Sequence, residues 1–252
     1  MDNGRNLVRQ SVSVGTRRLS AKPPYKGAAM VQIGIDYPQL APGQGGGAAG
    51  INAFYRDEAR RFFRYAEETL FQGACAEYLE CFRRHTPFRA AEAAQSFRVP
   101  YASFPFLSVV TQRRVVPPEG KVPERESAAE EAATWHLPSG NRLALQDFFY
   151  ESSYKSLLYR TVASALNVRM KQEKQARPEA ENAKTVFREL DETRFYLTGT
   201  GFALFFPAGT FGSASPSVFE APFTLFGANL RPGFPAAGRE QSMPYPARTP
   251  FE

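Results

Sequence analysis

The sequence predicts an α+β protein: a largely antiparallel sheet packed against a long helix, with a second helical segment. Three observations carry this. Strand-like stretches outnumber helical ones and follow one another directly, so a parallel sheet with alternating crossovers does not fit. A helical period runs without interruption through about 34 residues, from 51 to 84. Two aromatic runs flank Gly199-Thr-Gly201 in the manner of a hairpin.

Both ends read as tails. Residues 1–27 hold Arg5, Arg9, Arg17, Arg18, Lys22 and Lys26 against a single acid, Asp2, without a long apolar run. Residues 231–252 carry Pro232, Pro235, Pro244, Pro246 and Pro250. Such composition predicts disorder, so the basic segment is expected to be a solvated tail. It supplies much of the net charge of +6. Its cations are not interleaved with stacking aromatics, so no nucleic-acid partner is expected. No run approaches the ~18 apolar residues of a membrane span, and no apolar core of a secretory signal follows the basic start. As written, the chain is expected in the cytoplasm.

Residues 28–113 form the first half of the expected domain. Val31, Ile33 and Ile35 alternate on one strand face, and Pro38 is expected to end that strand. The run Gly43-Gln-Gly-Gly-Gly-Ala-Ala-Gly50 then leads into the helix. There Ile51, Phe54, Tyr55, Phe62, Ala66, Leu70, Ala74, Tyr78 and Cys81 recur at helical spacing, and Arg56, Arg60, Arg64, Glu67 and Glu68 fill the remaining arc. The apolar stripe should lie on the sheet with the charged arc in water. Residues 97–103 and 104–113 read as two strands whose Pro100 and Pro105 mark edges or bulges.

The charged segment 114–133 reads as a protruding connection without core residues. Residues 134–230 form the second half. Trp135 lies in a strand, Pro138-Ser-Gly-Asn141 in a turn, and residues 142–145 in a short strand. A helix capped by Ser152 or Ser153 should bury Leu157, Leu158, Val162, Leu166 and Met170. A weaker helix over 179–190, the Phe195 hairpin and a last strand over 218–226 complete the order.

None of the sites that the residues suggest gathers a complete chemistry. The glycine run lacks the tight strand-to-helix turn and the acid about 20 residues on, at the next strand's end, that a dinucleotide needs; a flexible loop is the expected reading. Cys75 and Cys81 lie six residues apart on one helix, about 9 Å between Cα atoms, too far for a disulfide. With only His85 nearby they make no zinc set, so no metal and no cofactor is expected. His136 and Ser139 are a histidine and a serine close in sequence. The serine sits in a turn rather than in a Gly-x-Ser-x-Gly elbow, and no catalytic residue is assigned. Asp147 is expected to cap a helix. The many Tyr and Phe of the second half should mostly be core. If one sheet face were open, surplus aromatics would form a platform, and Tyr101, Tyr196 and Phe211 are the candidate ligand-binding residues.

The order of motifs resembles a known family. Ile35-Asp-Tyr-Pro-Gln-Leu40, then Ile51-Asn52 opening a long helix, then the strands around Val99 and Leu107 resemble the first part of an extracytoplasmic domain of unknown function. That domain occurs in anti-sigma-V factors and in the non-catalytic N-terminal region of a peptidoglycan deacetylase (RsiV/PdaC-like). Ser139-Gly-Asn-Arg-Leu-Ala-Leu-Gln-Asp-Phe-Phe149 and Phe195-Tyr-Leu-Thr-Gly-Thr-Gly-Phe-Ala-Leu-Phe-Phe206 resemble its second part, over about residues 28–230 in all. The family's Gly-Gly-Ala-His-like run is missing from residues 113–133. Its Tyr-Glu-Ile-Ala-Pro-Tyr-type run is replaced by Pro207-Ala-Gly-Thr-Phe-Gly-Ser-Ala-Ser-Pro216.

The resemblance implies a non-catalytic binding or sensory domain, with an envelope polymer or a protein as partner. The alternative is a wall-directed hydrolase or deacetylase. The anti-sigma relatives recognise lysozyme, but a chain of net charge +6 would repel such a cationic partner unless acidic groups were segregated on its surface.

Overall fold

The computed structural model describes residues 11–118, 127–173, 178–212 and 216–231. The chain begins with β1 (Val14–Ala21), a short hairpin of β2 (Pro24–Tyr25) and β3 (Ala28–Ala29), and β4 (Val31–Leu40). The long helix follows as α1 (Ala48–Tyr65), one π turn (Ala66–Leu70) and α2 (Phe71–Arg84). Next come β5 (Ala91–Ser103), β6 (Phe106–Val116), β7 (Ser127–His136) and β8 (Asn141–Leu143). After a 3-10 turn come α3 (Tyr154–Gln172), α4 (Glu179–Glu189), β9 (Phe195–Leu197), β10 (Gly201–Phe206) and β11 (Ser217–Pro222).

The α+β class stands, but the strands form two main sheets rather than one. A six-stranded sheet runs β1-β4-β5-β6-β7-β8, and β9, β10 and β11 form a separate antiparallel sheet. In the larger sheet only β4 and β5 are parallel. Leu197 and Phe205, expected in one sheet with Trp135, belong to the smaller sheet. Alternation shows which residues share a face, not which sheet receives them.

Strand β6 shows how the layers stack. Leu107 and Val109 join Ile33, Ile35, Ala133 and Trp135 in a core under α1, while Val110 points the other way, onto Ala132, Tyr196 and Ala203. Ser108, buried between the sheets, bonds Thr134 through its hydroxyl at 2.8 Å and accepts the Leu197 N–H at 2.9 Å. A second core joins β9–β11, α3 and the 145–149 turn. In the helix, Ala66, Leu70 and Ala74 are buried at every fourth position, wider than 3.6 residues per turn, and the π turn helps absorb the drift. His85 closes α2 in the left-handed conformation (φ 56°), and the Thr86 N–H reaches back to the Cys81 carbonyl.

Several boundaries differ from expectation. Residues 14–21, assigned to a tail, form edge strand β1, paired with residues 33–40 of β4. Its pattern of Arg, Thr and Ser hides a strand whose side chains are mostly solvated. Pro38 does not end β4; it pairs with Thr16, beyond the β4–β5 ladder that stops at Ile35, where its missing N–H breaks no central bond. The connection expected over 114–133 is shorter, because β6 continues to Val116 and β7 starts at Ser127, with Ala132 and Ala133 in the core. Pro100 sits in the expected bulge, between Arg98 and Tyr101. Ser153 takes the position before α3 without capping it; its hydroxyl receives the Asn229 amide instead. The last strand stops at Pro222 and gives way to a 3-10 turn. Residues 1–10 and 232–252 lie outside the described residues.

Candidate functional site

Helix α1 buries Ala48, Ile51, Tyr55 and Ala59 against the sheet, which turns Arg56, Arg60, Arg61 and Arg64 outward, all exposed. Along this face runs an open groove of about 670 Å³ lined by Phe54, Asp57, Arg60, Arg61, Phe63 and Arg64. Arg56 lies 3.4 Å from Asp57, and Arg61 pairs with Glu58. Among the described residues Arg60 and Arg64 form no ion pair. Like charges four apart on a helix oppose it by about 0.2–0.5 kcal/mol per pair, so helix stability does not explain this stripe.

Behind the stripe, polar side chains join α1 to the sheet. Arg113 donates to Glu58 at 2.8 Å and to Gln95 at 2.9 Å, and Gln95 donates to the Asp36 carbonyl at 3.1 Å. The Arg113 guanidinium lies 5.6 Å from the centre of the Phe62 ring. Deeper in, the Trp135 indole N–H donates to the Tyr55 hydroxyl at 2.8 Å, and burial raises the Tyr55 pKa above the ordinary tyrosine value. The space left between these groups is about 10 Å³, room for roughly one water and no larger ligand.

The structure brings His136 and Ser139 together: His136 Nδ1 lies 2.9 Å from Ser139 Oγ. Ser139 Oγ also accepts the Asn141 N–H at 3.3 Å, the turn role expected of it. Among the described residues no carboxylate hydrogen-bonds His136; its neighbour is the Phe106 ring, 6.0 Å away. Asp147 accepts the Ala144 N–H at 2.8 Å and so closes the 3-10 turn over 145–148.

The glycine run packs onto this corner and is held in place, contrary to the expectation of a flexible loop. Gly47 donates its N–H to the Leu137 carbonyl at 2.8 Å, and a Cβ on Gly47 would lie 2.0 Å from the Gly140 nitrogen. Gly45, at φ +108°, would collide with the Leu137 carbonyl in the same way. These glycines let two backbones meet.

The three aromatic residues proposed from the sequence are all core. Tyr101 is 9% exposed, Tyr196 7% and Phe211 5%. Phe211 packs on Phe206 and Phe219, and Tyr196 lies under the Arg98 guanidinium between the two sheets. They form no platform, because the second sheet and α3 cover the face that would have carried one. The outward arginines were readable as the helix's charged arc. Helical spacing alone does not separate a binding stripe from a solvated one.

The whole arrangement has solved counterparts. A DUF3298 family member from Bacteroides fragilis superposes with a TM-score of 0.59 at 14% identity, over 87% of this chain and 94% of that one. The fold is shared with DUF3298 proteins. A second, from Pseudomonas aeruginosa PAO1, gives a TM-score of 0.52 at 13% identity, over 87% and 95% of the two chains. No protein-family model matches the sequence, and no curated protein resembles it closely enough to be recognised. At these identities the likeness speaks to the fold alone. Among the described residues no helix is long and apolar enough to cross a membrane.

Proposed function

We propose that this chain is a non-catalytic recognition domain, related to the sensory domains of anti-sigma-V factors, with an envelope polymer or a protein as its ligand. The observation that carries the reading is the outer groove of α1. It is open and cationic, and it stands on a helix locked to the sheet through Glu58, Arg113 and Gln95. A recognition surface works best on such a rigid element. The inner cleft has no room for a substrate, and the aromatic surplus is used in packing.

The His136–Ser139 contact is the one observation that favours the alternative, a wall-directed hydrolase or deacetylase. In the recognition reading it belongs to the turn that receives Gly47. The deciding assay sets purified wild type, His136→Ala and Ser139→Ala against peptidoglycan, acetylated sugars and ester substrates. No turnover is expected from any of the three. Reproducible turnover by wild type that either substitution lowers by ~100-fold, the lower scale of general acid–base catalysis, would overturn the reading.

A further inference from the structure

We infer that the outer face of α1 binds a linear anionic polysaccharide, held by Arg56, Arg60 and Arg64; this rests on reading the chain as a recognition domain. The three arginines stand at every fourth position, all exposed, on a helix rising 1.5 Å per residue, which spaces the guanidinium rows by about 6 Å. A polymer with one carboxylate on each sugar ring repeats its charge on a similar scale. Arginine suits that partner because its planar fork takes a carboxylate with two parallel hydrogen bonds, and its weak hydration lowers the cost of contact. Arg60 and Arg64 have no ion pair among the described residues, so neither needs to give up a carboxylate to receive a ligand. Beside them the half-buried Phe63 lines the groove and offers an apolar edge to sugar C–H groups.

The neighbouring rings argue against a nucleic acid, which stacks its bases on open aromatic faces. Phe54 is already met by the rings of Tyr55 at 5.2 Å and Trp135 at 5.0 Å, and Tyr65 is stacked on Phe62 at 6.2 Å. An acidic peptide would find no backbone to pair with, since the helix uses its own donors and acceptors internally.

The test is titration of the full chain into fluorescently labelled polygalacturonate, followed by anisotropy, at about 20 and about 150 mM salt, where screening separates charge-driven from apolar binding. Wild type should bind and weaken at the higher salt. The double variant Arg60→Gln/Arg64→Gln should bind on the order of 10-fold more weakly, the scale of losing charge-assisted contacts. Its thermal midpoint should match wild type, and Arg60→Lys/Arg64→Lys should recover part of the affinity. Equal binding by wild type and the glutamine variant would overturn the inference. So would absence of binding by wild type, or equal affinity for a thymidine oligonucleotide or polyglutamate. If neutral dextran binds as well as polygalacturonate and the glutamine variant weakens both, the recognition reading survives and the anionic ligand falls. Release of reducing ends from the polymer would instead defeat the recognition reading.

Discussion

The core beneath α1 and the core beside α3 are built from different materials. Under α1, Ile33, Ile35, Leu107 and Val109 share a core with a single indole, and alanines at 59, 91, 93 and 133 let helix and sheet approach closely. Beside α3, Phe148, Phe149, Phe195, Phe202, Phe206, Phe211, Phe219, Phe223 and Phe226 supply most of the volume, with ring centroids commonly 5–6 Å apart. The sequence predicts the aromatic half to be mostly core, with a ligand platform only if one sheet face were open, and its rings are consumed by one another. The aliphatic half leaves its proposed recognition surface outside, on the far side of a helix whose inner face is buried.

The sharpest way to break this comparison is to empty one site in each core. Phe202 is fully buried and meets the rings of Phe149, Phe223 and Phe226. Phe202→Ala should cost about 3–5 kcal/mol in urea denaturation. Trp135→Ala falls in the same range of about 3–5 kcal/mol, with the smaller value expected because fewer rings surround the indole. A loss below ~1 kcal/mol at Trp135 would mean an exposed indole open to a ligand. A smaller effect follows from the glycine corner. Gly47→Ala forces a methyl into the Gly140 backbone, and about 1–3 kcal/mol is expected, the ordinary range for overpacking. An unchanged midpoint would show that the corner yields freely.

The smallest expected effect separates the cores by pH. Burial keeps the Tyr55 hydroxyl neutral, so its folded pKa is raised above the value of about 10 reached in the unfolded chain. Stability from this group is therefore complete below about pH 10 and declines above it, as the unfolded state alone releases the proton. Tyr154 behaves likewise, through burial first and then its hydrogen bond to Glu192. Tyr55→Phe leaves the Trp135 N–H unpaired and lowers stability throughout, by about 1–3 kcal/mol. It should also flatten the decline between pH 10 and 11 relative to wild type, while the Tyr154 contribution remains. An unaltered slope would place the Tyr55 hydroxyl in contact with water.

Much of this architecture was legible because its patterns are strong. Ile51, Tyr55, Ala66, Leu70 and Ala74 mark one helical stripe, and the turn residues around Ser139 and Gly199 fix two hairpin-like reversals. Strand β1 was not legible, since an edge strand with solvated Arg17 and Arg18 lacks the alternation that burial imposes. The first half of β7 was hidden by Glu and Ala, residues poor in strand propensity that only their sheet neighbours hold extended. Tyr101, Tyr196 and Phe211 misled for a related reason: a ring's burial depends on a second sheet whose separate existence no local pattern reveals. The arginines of α1 were visible from the start, but that Arg56 and Arg61 face carboxylates while Arg60 and Arg64 form no ion pair among the described residues appears only once the neighbours are placed.

The pairing of β4 with β5 also bears on how the chain reaches this state. Val31 meets Ala91 across the entire helix, whereas β5, β6 and β7 follow one another as a meander. Loop closure over so long a segment is entropically dear, and local pairings form first. The meander is thus expected to serve as the early nucleus, with β4 and its edge partner β1 joining after the helix has docked. A nascent chain would then leave the flank of β5 uncovered for an interval. In that interval the half-formed sheet is open to strands from other molecules, and only the arrival of β4 closes that flank.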